Sequence, residues 1–286
     1  MQLLQAIVDG ILLGGVYAVI SIGLTLVFGV IGIVNFAQAQ FMMIGMFIAY
    51  FCWKYLGLDP LAGSVFAFVG VYLLGVLVQR FVINKVIHAP DVAQIFLTVG
   101  LLIVLENLAL ILFGSDFRTV RTAYQTSALH LGGILFSVPY LLAFVVSMVV
   151  GFLLWAVLNN TWWGRAVRAT AQDPMASQLM GISPPRIYQA AFGLGVGLTA
   201  LGGAIILPFV TASPTVGNQF AVLMFTVVVL GGLGNILGAV VGGVVAGLIQ
   251  SLSALVLPIQ LQNFILFVIF ILVLAIRPEG LLHRRA

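Results

Sequence analysis

Between Arg186 and Arg277 the chain runs for 90 residues without an Asp, Glu, Lys or Arg. A soluble domain carries charge at its surface, so an uncharged stretch of this length belongs in the hydrocarbon of a bilayer. Gly, Pro, Asn and Gln interrupt it, which divides it into several packed spans. The rest of the chain agrees, with 63% of residues hydrophobic and 6% charged. The net charge of +4 is scattered singly at the ends of apolar segments. That is the pattern of membrane orientation, not the clustered basic face that nucleic acid requires.

About 20 helical residues cross a bilayer core. Apolar runs and their breakers predict spans near 8–31, 36–54, 61–81, 92–114, 136–158, 186–208, 219–233, 236–257 and 260–276. The fold class expected is an all-α polytopic membrane bundle of eight or nine spans, with residues 1–286 as one transmembrane domain. The seventh span is short, which suggests a re-entrant or broken helix sheltered by protein or water. If the loop 159–186 is cytoplasmic, Arg80, Lys85, Arg165, Arg168, Arg186, Arg277, Arg284 and Arg285 share that side. Lys54, Arg118 and Arg121 fall opposite. The positive-inside rule then puts the C-terminus in the cytoplasm and, with nine spans, the N-terminus outside.

The first ten residues carry no Lys or Arg, so the first span is expected to stay in the mature chain. Cys52 is the one cysteine and reads as packing. Two ladders of small residues at spacing four, Ala191-Gly195-Thr199-Gly203 and Gly234-Gly238-Gly242-Ala246, put flat stripes on two helices. They read as tight packing within the chain or as a subunit interface.

The segment Thr161–Ile187 is the most informative loop. Asp173 before Pro174 is an N-cap followed by Pro at the first helical position, and Gly181 has the place of a C-terminal glycine. This predicts a helix over 174–180, and Ser183-Pro184 repeats the start signal. So short a helix needs a docking partner, either the bilayer surface or a cytoplasmic protein that moves it.

Here the chain resembles a known family. Arg168–Ile182, RATAQDPMASQLMGI, is similar to the coupling segment of ABC-importer permeases of the branched-chain amino acid type. Gly32–Gln40, GIVNFAQAQ, resembles the family's INFAHGE motif. Phe113–Val120, Leu230–Gly243 and Arg277-Pro278-Glu279-Gly280 resemble its outer loop, glycine-rich segment and C-terminal RPxG. The resemblance implies an inner-membrane, multi-pass permease of a bacterial importer. It also implies a second homologous permease, two cytoplasmic ATPases and a periplasmic solute-binding protein as partners. Asp173, Pro174, Ala176, Leu179 and Gly181 would then couple to the ATPases, and the binding protein would dock on the outer loops, 115–135 among them. Where the family usually has His-Gly-Glu, this chain has Gln38, Ala39 and Gln40, neutral amides that donate and accept but do not titrate. Branched-chain amino acids are the family's solutes; amides, urea and aromatic acids stand beside them as candidates.

No P-loop is present, since Lys54 and Lys85 lack the flanking glycines and hydroxyl, so ATP hydrolysis is expected in another subunit. His88, His130 and His283 lie far apart and suggest no metal site; no cofactor and no enzyme active site is expected. Polar groups inside spans line pathways or join helices. The path candidates are Asn35, Gln38, Gln40, Glu106, Asn218, Gln219 and Asn235, with Gln262 and Asn263 opening the last span. Glu106 is the one carboxylate deep in a span; the family often has Gln there, which implies a hydrogen-bonding role. Gly23-Leu24-Thr25 with Gln40-Phe41 echoes Gly197-Leu198-Thr199 with Gln219-Phe220, suggesting two related halves. Two other readings stay open. One is an ion-gradient-driven secondary transporter or channel, for which Glu106 speaks; the other is a structural membrane subunit.

Overall fold

The computed structural model describes residues 2–131, 134–277 and 280, and only the backbone of Leu131, Ile259, Gln260, Gln262 and Asn263. Arg277 and Gly280 of the RPxG match are described, but Pro278, Glu279, His283, Arg284 and Arg285 lie outside, as do the side chains of Gln262 and Asn263. Helices α1 (Gln2–Ile31), α2 (Gln38–Leu56), α3 (Pro60–Phe81), α4 (Asp91–Phe113) and α5 (Val138–Asn160) come first. Two short helices follow, α6 (Trp162–Gln172) and α7 (Pro174–Leu179), then α8 (Pro184–Ile206), α9 (Val216–Gly231), α10 (Ile236–Ser253) and α11 (Ile259–Ile276). Seven of these are long and apolar enough to cross a membrane: α1, α2, α3, α4, α5, α8 and α10. The described side chains of α9 and α11 form shorter apolar helices.

Chain direction gives the bundle two ends. At one end lie α6 and α7, the ends of α1, α3 and α5 and the starts of α4, α8 and α10. Six of the described basic residues (Arg80, Lys85, Arg165, Arg168, Arg186, Arg277) belong to this end, against Lys54, Arg118 and Arg121 at the other. The other end carries an antiparallel hairpin, β1 (Ala128–Leu131) and β2 (Ile134–Ser137). Sequence reading took 115–135 as plain loop, although Gly132-Gly133 between two apolar runs is a hairpin signal. Gln5 ties the hairpin to α1, its amide donating to Leu135 O at 2.7 Å and accepting from Leu135 N at 2.9 Å. Nearby, Tyr124 donates to Asp59 Oδ1 at 2.9 Å, and burial followed by that hydrogen bond pushes its phenol up.

The core follows from the small residues. α1 packs most extensively on α10 and α3 on α8, and α1 also crosses α8. A methyl group on Gly23 of α1 would collide with the Gly195 carbonyl and the Thr199 hydroxyl of α8, so that crossing needs glycine to let the backbones meet. Gly242 of α10 likewise lies against the backbone of Val227 and Gly231 in α9. Both small-residue ladders are therefore used within the chain.

The pairing is reciprocal. If α1–α3 and α8–α10 are halves, the third helix of each packs on the first of the other, the first helices cross, and the second helices meet. α1 and α8 run in opposite directions, so the halves are inverted, the arrangement of repeat-built transporters.

Candidate functional site

α2 does not begin at the bundle's surface. After α1 ends, Gly32 takes a left-handed conformation, φ 77°, and turns the chain back into the bundle. Residues 33–37 then run beside α4, where Thr98 Oγ1 donates to Val34 O at 3.3 Å. Asn35 Oδ1 accepts from Ala37 N at 3.1 Å, a side-chain turn that starts the helix. The Gln38 amide, at the first residue of α2, reaches Gly195 O at 3.3 Å. Gly195 has 11 helical residues on either side in α8, so α2 starts halfway through the layer. The sequence reading had expected this junction merely between two spans.

α9 mirrors it. Residues 207–215 fold back beneath the hairpin end, where Arg118 and Ala212 exchange backbone hydrogen bonds of 2.9 Å. α9 then begins at Val216 and is 16 residues long, about 24 Å against a hydrocarbon core of about 30 Å. The short seventh span is thus a broken helix sheltered by protein. The first turns of α2 and α9 meet inside the bundle.

Two polar clusters form there. In the first, Asn35 Nδ2 donates to Gln38 Oε1 at 2.9 Å, and Gln38 Nε2 donates to Thr199 Oγ1 at 2.7 Å as well as to Gly195 O. Thr199 Oγ1 lies 3.2 Å from Ile20 O of α1. Asn35, Gln38 and Thr199 are all buried, and the knot joins α1, α2 and α8. Thr199 went unrecognised in the sequence because it sits in a small-residue ladder and reads as packing.

The second cluster is a directed chain. Gln40 Nε2 donates to Asn218 Oδ1 at 3.1 Å, and Asn218 Nδ2 donates to both Glu106 oxygens at 3.1 Å. It joins α2, α9 and α4. Gln40 is buried, Glu106 half-buried and Asn218 exposed. Gln40 Oε1 is buried with no hydrogen-bond partner. Phe36 and Phe225 flank the meeting of α2 and α9, ring centroids 5.0 Å apart.

The remaining path candidates lie apart. Gln219 is exposed beside Asn218. Asn235 sits at the α6–α7 end, where its Oδ1 accepts from Gly238 N at 3.1 Å and caps α10. It lines a cavity of about 720 Å³ together with Thr25, Asn159, Arg168 and Tyr188. The seven candidates thus divide into two in a knot, three in a chain, one helix cap at the bundle's end and Gln219, exposed beside the chain.

At that end the expected short helix is present as α7. Asp173 Oδ1 accepts from Met175 N at 2.8 Å and Ala176 N at 3.0 Å, Pro174 opens the helix, and Gly181 turns left-handed at φ 82°. Ala176 is exposed, and Met175, Leu179 and Met180 are 76%, 85% and 83% exposed. α6 was not foreseen. Thr161 caps it by accepting from Gly164 N at 3.1 Å, while Gly164, Ala166, Val167 and Thr170 bury one face. The Trp162-Trp163 pair that opens it masked a helical start.

Residues 6–274 match the family model described as branched-chain amino acid transport system / permease component. The high-affinity branched-chain amino acid transport system permease protein BraD of Pseudomonas aeruginosa is 30% identical, covering 98% of this chain and 96% of that protein. LivH of Escherichia coli, of the same description, is 29% identical with the same coverage. Over 90 residues, 31% of this chain and 25% of the relative, the fructose import permease protein FrcC of Rhizobium meliloti is 39% identical. No solved structure matches. With a family match over nearly its whole length and relatives aligned from end to end, this chain of apolar helices belongs to the permease components of branched-chain amino acid ABC transport systems.

Proposed function

We propose that this permease forms one half of the path by which an amino acid crosses the membrane, with branched-chain amino acids as the first solutes to test. The observation that carries this is the meeting of two broken helices inside the bundle, with Gln40, Asn218 and Glu106 between them. Exposed polar groups at that depth are costly against lipid, so this face is turned to a water-containing path or a partner subunit. A second homologous permease supplies the opposite wall.

The end bearing α6 and α7 faces the cytoplasm, in keeping with six basic residues against three, and the C-terminus lies on the same side. There the apolar tip of α7 (Met175, Leu179, Met180) has too little of this chain around it to be a core element. It seats in a groove of one of two ATPase subunits, which hydrolyse the ATP. Asp173 and Pro174 hold its start, Gly181 its end, and Ala176 its contact face. At the other end the hairpin and the loop around Arg118 receive a periplasmic solute-binding protein. Closing of the ATPases moves α7 and α6 together, and the bundle around α2 and α9 opens.

The test is purification of this chain in mild detergent from its native membrane, followed by ATPase assay and solute uptake in liposomes. Co-purified ATPases with binding-protein-stimulated activity support the reading. Ala176→Glu puts a charge on the docking face and should cut uptake about tenfold or more with assembly intact, a contact loss of about 1.4 kcal/mol. A chain that elutes alone and transports on an ion gradient would overturn it.

A further inference from the structure

The Gln40–Asn218–Glu106 chain has a direction, and that direction selects a ligand. Each link donates toward Glu106: Gln40 Nε2 to Asn218 Oδ1, then Asn218 Nδ2 to both carboxylate oxygens. Turning the Gln40 amide over would set its oxygen against Asn218 Oδ1, so the donations settle the order. Acceptors are left over at both ends. Gln40 Oε1 is buried and unpartnered, and Glu106 keeps lone pairs beyond those that meet Asn218.

The surroundings sharpen the point. Glu106 lies in α4 with 15 helical residues before it and 7 after it, well inside the apolar layer. Ile103, Val104, Leu108, Ile111 and Leu112 of the same helix are exposed apolar side chains, as a lipid-facing helix requires. Glu106 sits at the border of that face, pulled toward α9, where the exposed Asn218 opens the chain to whatever passes.

A site with free acceptors at both ends calls for a group that only donates. An ammonium group has three donors and no acceptor. A solute carboxylate would meet Glu106 as a like charge, and a hydroxyl or amide would bring acceptors of its own. We propose that Glu106, oriented by Asn218 and Gln40, binds the ammonium group of the amino acid on its way between α4 and α9. The inference rests on the permease reading above and adds the end of the solute that this face recognises. Glu106 contacts the solute; Gln40 and Asn218 are positioning residues.

The experiment uses the reconstituted importer with its binding protein and labelled leucine. Glu106→Gln keeps the shape and the hydrogen bond from Asn218 but loses the charge. Uptake should fall about tenfold, the scale of one charge-assisted hydrogen bond, with the thermal unfolding midpoint unchanged. Gln40→Glu combined with Glu106→Gln moves the carboxylate across Asn218, whose amide can turn over to serve it, and should restore uptake to within about threefold of wild type. A purely structural hydrogen bond would already be satisfied in Glu106→Gln. Uptake at wild-type rate in that single variant overturns the proposal, as does a loss that the relocated carboxylate fails to recover. Should the single variant not assemble, Glu106→Asp must transport leucine within about threefold of wild type, and its failure would also overturn it. A wild-type importer that takes up no amino acid fails the permease reading itself, a different result from either.

Discussion

Gln38 and Gln40 stand two residues apart in α2, carry the same side chain and are both buried, yet they face opposite ways. Two residues of an α-helix are about 200° of turn, so Gln38 looks to α1 and α8 and Gln40 to α4 and α9. Gln38 is saturated: its oxygen meets Asn35 and its nitrogen meets Thr199 and Gly195. Gln40 is not, with one end tied to Asn218 and the other a bare acceptor. A saturated amide in a closed contact joins helices, and further groups reaching it would have to displace what it already holds. An amide with a free acceptor, linked to an exposed partner and a carboxylate, can exchange partners with something that moves. The difference divides the polar residues of one re-entrant segment into a fastening and, in the function proposed for this permease, one wall of a passage.

The strongest way to break that division is to attack the fastening at its narrowest point. Gly23→Val would drive a branched side chain into the Gly195 carbonyl and the Thr199 hydroxyl. The Gly195 carbonyl is backbone, and the Thr199 hydroxyl is held by Gln38 and by helix backbone, so neither yields readily and the cost should reach about 3 kcal/mol. The expected outcome is loss of the folded permease from membranes, read by size exclusion in detergent. A well-folded Gly23→Val protein would mean that α1 and α8 are not held this closely.

A paired comparison is milder and more discriminating. Gln38→Ala strands Asn35, Thr199 and Gly195 O in a dry site and should destabilise by about 2–3 kcal/mol. Uptake per folded molecule should stay near normal. Asn218→Ala should show the reverse: about 1 kcal/mol or less in stability, from the orphaned Gln40 amide, with uptake down about fivefold. Thermal unfolding and leucine uptake measured on both proteins decide it. If the two variants lose uptake equally per folded molecule, the fastening and the passage are one unit.

How much of this was legible beforehand follows from which forces are local. The eight or nine apolar spans expected, the short seventh among them, and the capped helix after Asp173 are written in contiguous residues, because hydropathy and capping act over one helix or one turn. Membrane depth is not local. That residues 33–37 re-enter the bundle depends on Thr98 and Gly195, 64 and 157 positions from their bonding partners, and no window of sequence contains both ends. For the same reason Asn35, Gln38 and Gln40 read as one cluster; the Asn235 cap of α10, by contrast, is local, three residues from Gly238. The resemblance implies a Glu at position 40 and often a Gln at position 106; this chain has the reverse. Seen singly, each looks like a loss or an oddity. The structure puts both on Asn218, so one carboxylate is kept in the trio and only its helix has changed.

The smallest effect tests the equivalence of the halves. Gln219 matches Gln40 in the short sequence echo between them, but the structure gives Gln40's partner role in α9 to Asn218 and leaves Gln219 exposed. If position in the fold rather than in the repeat decides function, Gln219→Ala should shift stability by no more than about 0.5 kcal/mol and uptake by less than about twofold. Leucine uptake by this variant, measured beside Asn218→Ala, separates the two. A loss as large as that of Asn218→Ala would place Gln219 on the solute path as well, and the passage would then be two residues wide on α9 with its entrance beyond Glu106.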